Sequence, residues 1–272
     1  MASHLKNTIR SCRQFARNHL PSGIRQQVGA FAGRFFQRRV RPVLGLYFDL
    51  IVCRYRTDGC EFEIPRDLTD RNFRACFLLD DYENEERGLI AKYLRPADRV
   101  LEYGGCLGVV ACTTNKRLEK GTRHVVVEGN PLLISTIAKN MAINDCSFRL
   151  LNAAAAPEPG YLSFHTHPQF VVGGSTRDVG GVRFEVGALP LGDAVKQHGP
   201  FNVLILDVEG AELELLEAGL DALKGFQTVI LEMHPFVYGD GGLDRCRKVL
   251  GAAGLKRVDE VDHTEAWIRP GA

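Results

Sequence analysis

The sequence predicts an α/β fold, a doubly wound and mostly parallel sheet of seven strands with helices on both faces. Three observations predict it. From residue 83 onward, short apolar β-forming runs alternate with helical patterns, the order expected of a parallel sheet built from crossover units. Glycines (Gly104, Gly105, Gly108) follow the first run, where a strand must turn sharply into a helix. Acids (Glu128, Asp207, Glu232) stand at the ends of three runs, on the carboxyl edge where open α/β sheets bind ligands.

The chain has 272 residues and is 45% hydrophobic, enough for one large domain with an appendage and incompatible with a disordered protein. Its pattern divides into a basic helical segment at 1–45, a β-hairpin preface at 46–82 and the main domain at 83–272. The formal charge of +1 is uneven, because nine of the 34 basic residues precede the first acid, Asp49. Without those nine, 25 basic residues face 33 acidic ones. An acidic body argues against a nucleic-acid partner.

In the basic segment Leu5, Ile9, Cys12 and Ala16, then Ile24, Val28, Phe31 and Phe35, recur at helical spacing, with a break at Pro21-Ser22-Gly23. Three readings fit: helices docked on the body, a peripheral membrane contact through residues 1–45, or an Arg-rich targeting presequence. No apolar run in it reaches the ~20 residues of a membrane span. The eight cysteines show no C-x-x-C pair, so they read as reduced thiols and the expected location is cytoplasmic.

At 46–64 two β-rich runs flank Asp58-Gly59, a hairpin signal. The run E-N-E-E-R-G-L-I-A-K-Y-L at 83–94 is helical and ends before Pro96. Strands are then expected at 99–103, 123–128, 148–152, 202–207, 227–233, 255–260 and 264–269. Helices are expected at 108–119, 131–143, 210–218 and 242–253. Residues 157–190 interrupt the alternation with Gly, Pro and β-formers. They predict an inserted strand pair with a mobile loop at Val172-Gly173-Gly174-Ser175-Thr176.

The first strand ends V-L-E-Y-G-G-C-L-G. Its glycines lack the G-x-G-x-x-G spacing of a nicotinamide site, and Glu102 just before them would repel a pyrophosphate but suits a cation. S-adenosylmethionine has a positive sulfonium and ammonium and no phosphate. Glu128 ends the second strand 20 residues after Gly108, placed to accept hydrogen bonds from both ribose hydroxyls; its alternative is to cap the helix opened by Pro131. Asn152 and Ala153 at the third strand end supply a polar contact and space for an adenine ring.

The fourth strand runs into I-L-D-V-E-G-A-E. Asp207 stands at the ligand edge and is the strongest acceptor-side residue. Glu209 reads either as a site residue or as a helix N-cap, and Glu212 as a first-turn acid favoured by the helix dipole. The fifth strand ends on Glu232 and His234; a histidine one strand from Asp207 can take the proton of an acceptor hydroxyl. His165 and His167 read as exposed alternation on a strand, and no metal site is expected, since a strand-end acid beside a sulfonium-binding turn needs no ion.

Taken in order, E-Y-G-G-C-L-G, V-V-V-E-G-N-P, Asn140 and Asn144 before L-N-A, L-D-V-E-G-A-E-L-E-L-L-E-A-G and I-L-E-M-H-P resemble the FkbM-type S-adenosylmethionine-dependent methyltransferases over about residues 83–269. The resemblance implies a class I methyltransferase sheet, Rossmann-like, with its last strand antiparallel. It implies O-methylation of a small-molecule or glycan hydroxyl. Glu102, Gly104, Gly108, Glu128 and Asn152 would contact the cofactor, and Asp207, Glu209 and His234 would face the acceptor. The chain departs from the family pattern in Glu102, Gly105 and Cys106 of the first motif and in Ile205, where a lysine is common. Two alternatives remain at this stage, a nicotinamide-dependent oxidoreductase and a non-catalytic methyltransferase-like module recruited through its basic N-terminus.

Overall fold

A computed structural model describes residues 40–167, 170–175 and 181–271. The expected N-terminal helices and Thr176 fall outside these residues, apart from the end of the basic segment. The chain divides into two compact units, Met1–Thr57 with Glu63–Tyr82, and Asp58–Phe62 with Glu83–Ala272.

In the smaller unit, Arg41–Tyr47 (α1) continues into a π-helical turn at Phe48–Val52, and Arg71–Leu79 (α2) is capped by Asp70, whose side chain accepts from Phe73 N at 2.7 Å. The β-rich run expected from residue 46 is therefore helical as far as Val52. Tertiary packing overrides its β-propensity. Phe48 and Tyr55 stack about Phe77, with ring centroids 5.9 and 5.0 Å away. Asp49 takes a buried two-pronged contact from Arg74, at 2.6 and 3.0 Å. The hairpin itself is present in Arg54–Thr57 (β1) and Cys60–Glu63 (β2), turned by Asp58 and Gly59, both at positive φ.

Besides most of β2, the larger unit holds Asn84–Tyr93 (α3). Its sheet is laid down by Val100–Tyr103 (β3), His124–Glu128 (β4) and Arg149–Asn152 (β5), with Val109–Asn115 (α4) and Ile134–Ile143 (α5) between them. After the insertion come Leu191–His198 (α6), Val203–Leu206 (β10), Glu212–Ala218 (α7), Leu220–Leu223 (α8), Thr228–Glu232 (β11), Pro235–Ala252 (α9), Lys256–Val261 (β12) and Thr264–Ile268 (β13). The insertion is Ala154–Ala155 (β6), Gly160–His167 (β7), Phe170–Ser175 (β8) and Arg183–Leu189 (β9).

The seven strands lie in the order β12-β13-β11-β10-β3-β4-β5. All neighbours pair in parallel except β13, which is antiparallel to β11 and β12. Alternate side chains feed two cores. Leu101, Tyr103, Val127, Leu204, Leu206, Val229 and Leu231 pack with residues of α6, α7 and α9, whereas Val100, Val203, Ile205 and Ile230 pack with Leu89 and Ile90 of α3 and Val110 of α4. A strand buried on both faces reads as a continuous apolar run, which is why these strands were visible in the sequence. The winding reverses between β3 and β10, and the crevice beyond their carboxyl ends is where such sheets bind ligands.

The insertion is a sheet of its own, ordered β6-β9-β7-β8, rather than a strand pair with a mobile loop. Val172–Ser175 belong to β8, with Thr166 opposite Gly174 and His165 opposite Ser175. The Gly-rich stretch pairs as a strand, which a composition-based reading of glycine missed. Tyr103 Oη donates to Leu189 O at 3.0 Å, and a Cβ on Gly129 would lie 2.7 Å from Phe164. The insertion is thus fastened beside the ends of β3 and β4. Among the described residues no helix is long and apolar enough to cross a membrane.

Candidate active site

The turn after β3 is built for close approach. Gly104 has φ +99° and Gly108 +79°, conformations that a Cβ disfavours, and Cys106 also stands at positive φ. Gly104 N donates to Val127 O at 2.9 Å, and Gly108 N to Gly105 O at 2.7 Å. A Cβ on Gly104 would fall 1.8 Å from the carbonyl oxygen of Asp207. The glycine turn therefore lies directly against the exit of β10.

Glu128 ties this turn to β4. Its Oε2 accepts from Cys106 N at 2.8 Å and its Oε1 from Asn130 N at 2.6 Å. Burial raises its pKa to about 7 against the lowering effect of these backbone donors. Asn152 and Ala153 join the same corner, since Asn152 Nδ2 and Ala153 N donate to Glu128 O at 2.8 and 3.1 Å.

Glu102 is 0% exposed. Its Oε2 lies 3.1 Å from His124 Nε2, a contact the sequence did not suggest, and its Oε1 is buried without a hydrogen-bond partner. This acid is sunk in the sheet rather than standing in the open crevice. Glu86 of α3 is a further buried carboxylate that the sequence reading passed over. Burial first, and then Asp207, Glu83, Glu102 and Glu232, drive its pKa well above the ordinary carboxylate range.

At the ends of β10 and β11 four acids surround one imidazole. His234 Nε2 lies 3.7 Å from Asp207 Oδ1, 3.6 Å from Glu209 Oε2 and 4.0 Å from Glu232 Oε1. On the other side of the ring, Nδ1 is 2.8 Å from Glu212 Oε1. That oxygen also accepts from Val208 N at 3.3 Å and Gly210 N at 3.0 Å, and His234 N donates to Tyr238 Oη at 2.7 Å. Glu212 is 0% exposed. Besides beginning its helix, it orients the histidine, the role that sequence reasoning missed. A Glu two residues beyond a glycine turn can fold back over that turn, and this was the available signal. Glu209 is not the N-cap, which is Ala211. It sits at φ +53°, a strained conformation for a residue with a Cβ, with its side chain 53% exposed.

The electrostatics follow from this crowding. Burial lowers the His234 pKa, but Glu212, Asp207 and Glu209 outweigh it and raise the value to about 9. Burial, together with Glu232 and Glu209, pushes Asp207 well above its ordinary value although His234 opposes the shift.

A seven-stranded sheet in this order, with a glycine turn at the switch point and an acid ending the neighbouring strand, is the class I methyltransferase fold. Residues 102–269, more than half of the chain, match the model of the methyltransferase FkbM domain. The chain belongs to that family, and its methyl donor is S-adenosylmethionine. The nicotinamide alternative falls with that finding.

Solved structures similar in fold include a Methanococcus jannaschii fibrillarin, a pre-rRNA processing protein, at 14% identity and TM-score 0.42, covering 66% of this chain and 70% of its own. A ribosomal protein L11 methylase from Lactobacillus delbrueckii subsp. bulgaricus matches at 11% and 0.43, covering 69% and 77%. Aeropyrum pernix fibrillarin, holding S-adenosyl-L-methionine, matches at 15% and 0.40, covering 67% and 71%. No curated protein matches the chain significantly.

The residues present fit this cofactor. The unpartnered Glu102 carboxylate oxygen within the sheet, the buried Glu86 and the half-buried Asp207 at the end of β10 concentrate negative charge at this edge and suit a cationic ligand lacking phosphate. If Glu128 receives the ribose hydroxyls, binding favours its ionised form. Affinity for S-adenosylhomocysteine should then rise about tenfold per pH unit below about 7 and level off above it. Calorimetry across this range checks the expectation; a flat profile would remove Glu128 from the contact.

Proposed function

We propose that the chain is an O-methyltransferase that moves a methyl group from S-adenosylmethionine to a hydroxyl of a small or sugar-containing molecule. The observation that carries this reading is the packing of Gly104 against Asp207, with 1.8 Å between an added Cβ and the Asp207 carbonyl oxygen. It sets the cofactor turn beside the acid–imidazole cluster, so a bound acceptor has a proton acceptor within reach.

The bound cofactor supplies an electrophilic methyl group. Glu128, Asn152 and Ala153 would hold its nucleoside part. Gly104, Gly105 and Gly108, whose missing Cβ atoms let the turn pack against β10, β4 and α5, would shape the loop that receives it, and Glu102 would add negative charge from within the sheet. At neutral pH a ring with a pKa near 9 is protonated, so His234 donates and aims. Asp207, with its raised pKa, is the stronger base than an ordinary carboxylate and takes the hydroxyl proton as the new bond forms. Glu209 guards the exposed side of the cluster. Carboxylates at this density repel phosphodiesters, which supports a small hydroxyl acceptor over nucleic acid.

The test is methyl transfer to a panel of hydroxylated metabolites and glycosides, with S-adenosylhomocysteine binding measured alongside. Asp207→Asn is expected to lower kcat about a hundredfold while leaving product affinity nearly unchanged. Equal turnover by this variant would remove Asp207 as the base.

A further inference from the structure

We propose that Asp207, Glu232 and His234 form a site for one divalent cation of the Mn2+ class. The proposal rests on the reading that the acceptor atom is oxygen, and deepens it.

The three side chains each offer one ligand atom within 4.8 Å of the others. With His234 Nε2 at 3.7 Å from Asp207 Oδ1 and 4.0 Å from Glu232 Oε1, an ion among them lies about 2.5 Å from each, within a small side-chain adjustment of metal bonding distance. They come from the ends of two adjacent strands, β10 and β11, so the sheet itself sets their spacing.

Two further observations point to a ligand. The His234 side chain is 5% exposed, and its Nε2, aimed into the cluster, makes no hydrogen bond among the described residues, while Asp207 Oδ1 is buried and equally unpartnered. The opposite nitrogen is held by Glu212 at 2.8 Å, and Glu212 is itself fixed by two backbone donors. A carboxylate behind the distal nitrogen of an imidazole is the arrangement that orients a metal-binding histidine.

The charge balance agrees. Asp207, Glu209, Glu212 and Glu232 converge on one ring, and among the described residues no lysine or arginine forms an ion pair with any of them. Two carboxylates and one imidazole suit Mn2+, which accepts both oxygen and nitrogen, better than the all-oxygen sites of Mg2+ and Ca2+ or the sulfur-rich sites of structural zinc. Binding releases any proton on Nε2. Three protein ligands leave positions for water and for an acceptor hydroxyl, whose acidity the ion raises. With the ion bound, Asp207 and His234 are ligands and the proton-accepting role moves from Asp207 to Glu209. As the methyl carbon exchanges its bond to sulfur for one to that oxygen, the hydroxyl proton passes to Glu209, which is not a ligand, and on to solvent.

The experiment is Mn2+ titration of the full, chelator-treated chain, followed by loss of the free-ion electron paramagnetic resonance signal. Binding of S-adenosylhomocysteine is measured on every sample as proof of folding. One Mn2+ per chain is expected, with binding weakened at least about tenfold in Glu232→Gln and Asp207→Asn and unchanged in Glu217→Gln on the exposed face of α7. A wild type that binds S-adenosylhomocysteine but leaves the free-ion signal intact overturns the site, as does undiminished binding in both ligand variants. Stoichiometric binding at this site without methyl transfer to any hydroxyl would sustain the cation site and sink the O-methyltransferase reading. Transfer to a hydroxyl by a chain that takes up no Mn2+ would do the reverse.

Discussion

Glu212→Ala is expected to cost the folded chain about 3–5 kcal/mol and to abolish methyl transfer, because it strands a buried imidazole and two backbone donors together. The carboxylate accepts from His234 Nδ1, Val208 N and Gly210 N, and it is 0% exposed, so water cannot replace it. Denaturant unfolding measures the first effect. Glu212→Gln separates charge from shape, since an amide oxygen can keep the same acceptor contacts but lacks the negative charge that favours the protonated ring.

In that variant burial is expected to prevail, and the His234 titration, followed by nuclear magnetic resonance, should fall from about 9. The sign for stability follows from the raised pKa. The ring's contribution is full below its ordinary value of 6.5 and is lost as pH rises through about 9. An unmoved midpoint in Glu212→Gln would show that Glu212 does not govern the ring.

Gly104→Ala is the second large effect. The residue has φ +99°, and its Cβ would lie 1.8 Å from Asp207 O and 2.8 Å from Asp207 C. Those are backbone atoms at the end of a central strand, so no side chain can swing aside. A loss above about 4 kcal/mol is expected, with cofactor binding lost at the same time. Gly105→Ala is the internal comparison: its Cβ meets side-chain atoms, Val126 Cγ1 at 2.9 Å and Ile137 Cδ1 at 3.2 Å, which can yield at about 1–3 kcal/mol. If the two variants are equally stable, the close approach of the glycine turn to β10 is wrong.

The sheet was legible in the sequence because its central strands are buried on both faces. V-V-V-E and V-L-I-L leave little room for another reading, and Gly or Pro bounds most runs. The run from Leu46 to Val52 failed for the opposite reason. Its Tyr, Phe, Ile and Val favour strands in isolation, but Phe48 and Asp49 earn their places through contacts with Phe77 and Arg74, about 25 residues away.

The acids sorted less well than the strands. Asp207, Glu209 and His234 do meet, at 3.6 to 3.7 Å, since neighbouring strand ends are close by construction. The inward turn of Glu212 depends on a side-chain path that no periodicity encodes. Glu86 comes from a helix far upstream in the chain, and only the folded sheet brings it near Glu102 and Asp207.

Glu212 has one more consequence. By gripping Val208 N and Gly210 N on one side and His234 on the other, it couples the exit loop of β10 to that of β11. The two loops cannot open independently without breaking the same carboxylate's bonds, so their local unfolding is one cooperative event. One carboxylate thus joins two strand exits on this side of the crevice, while the β6–β9 sheet stands beside the ends of β3 and β4 on the other.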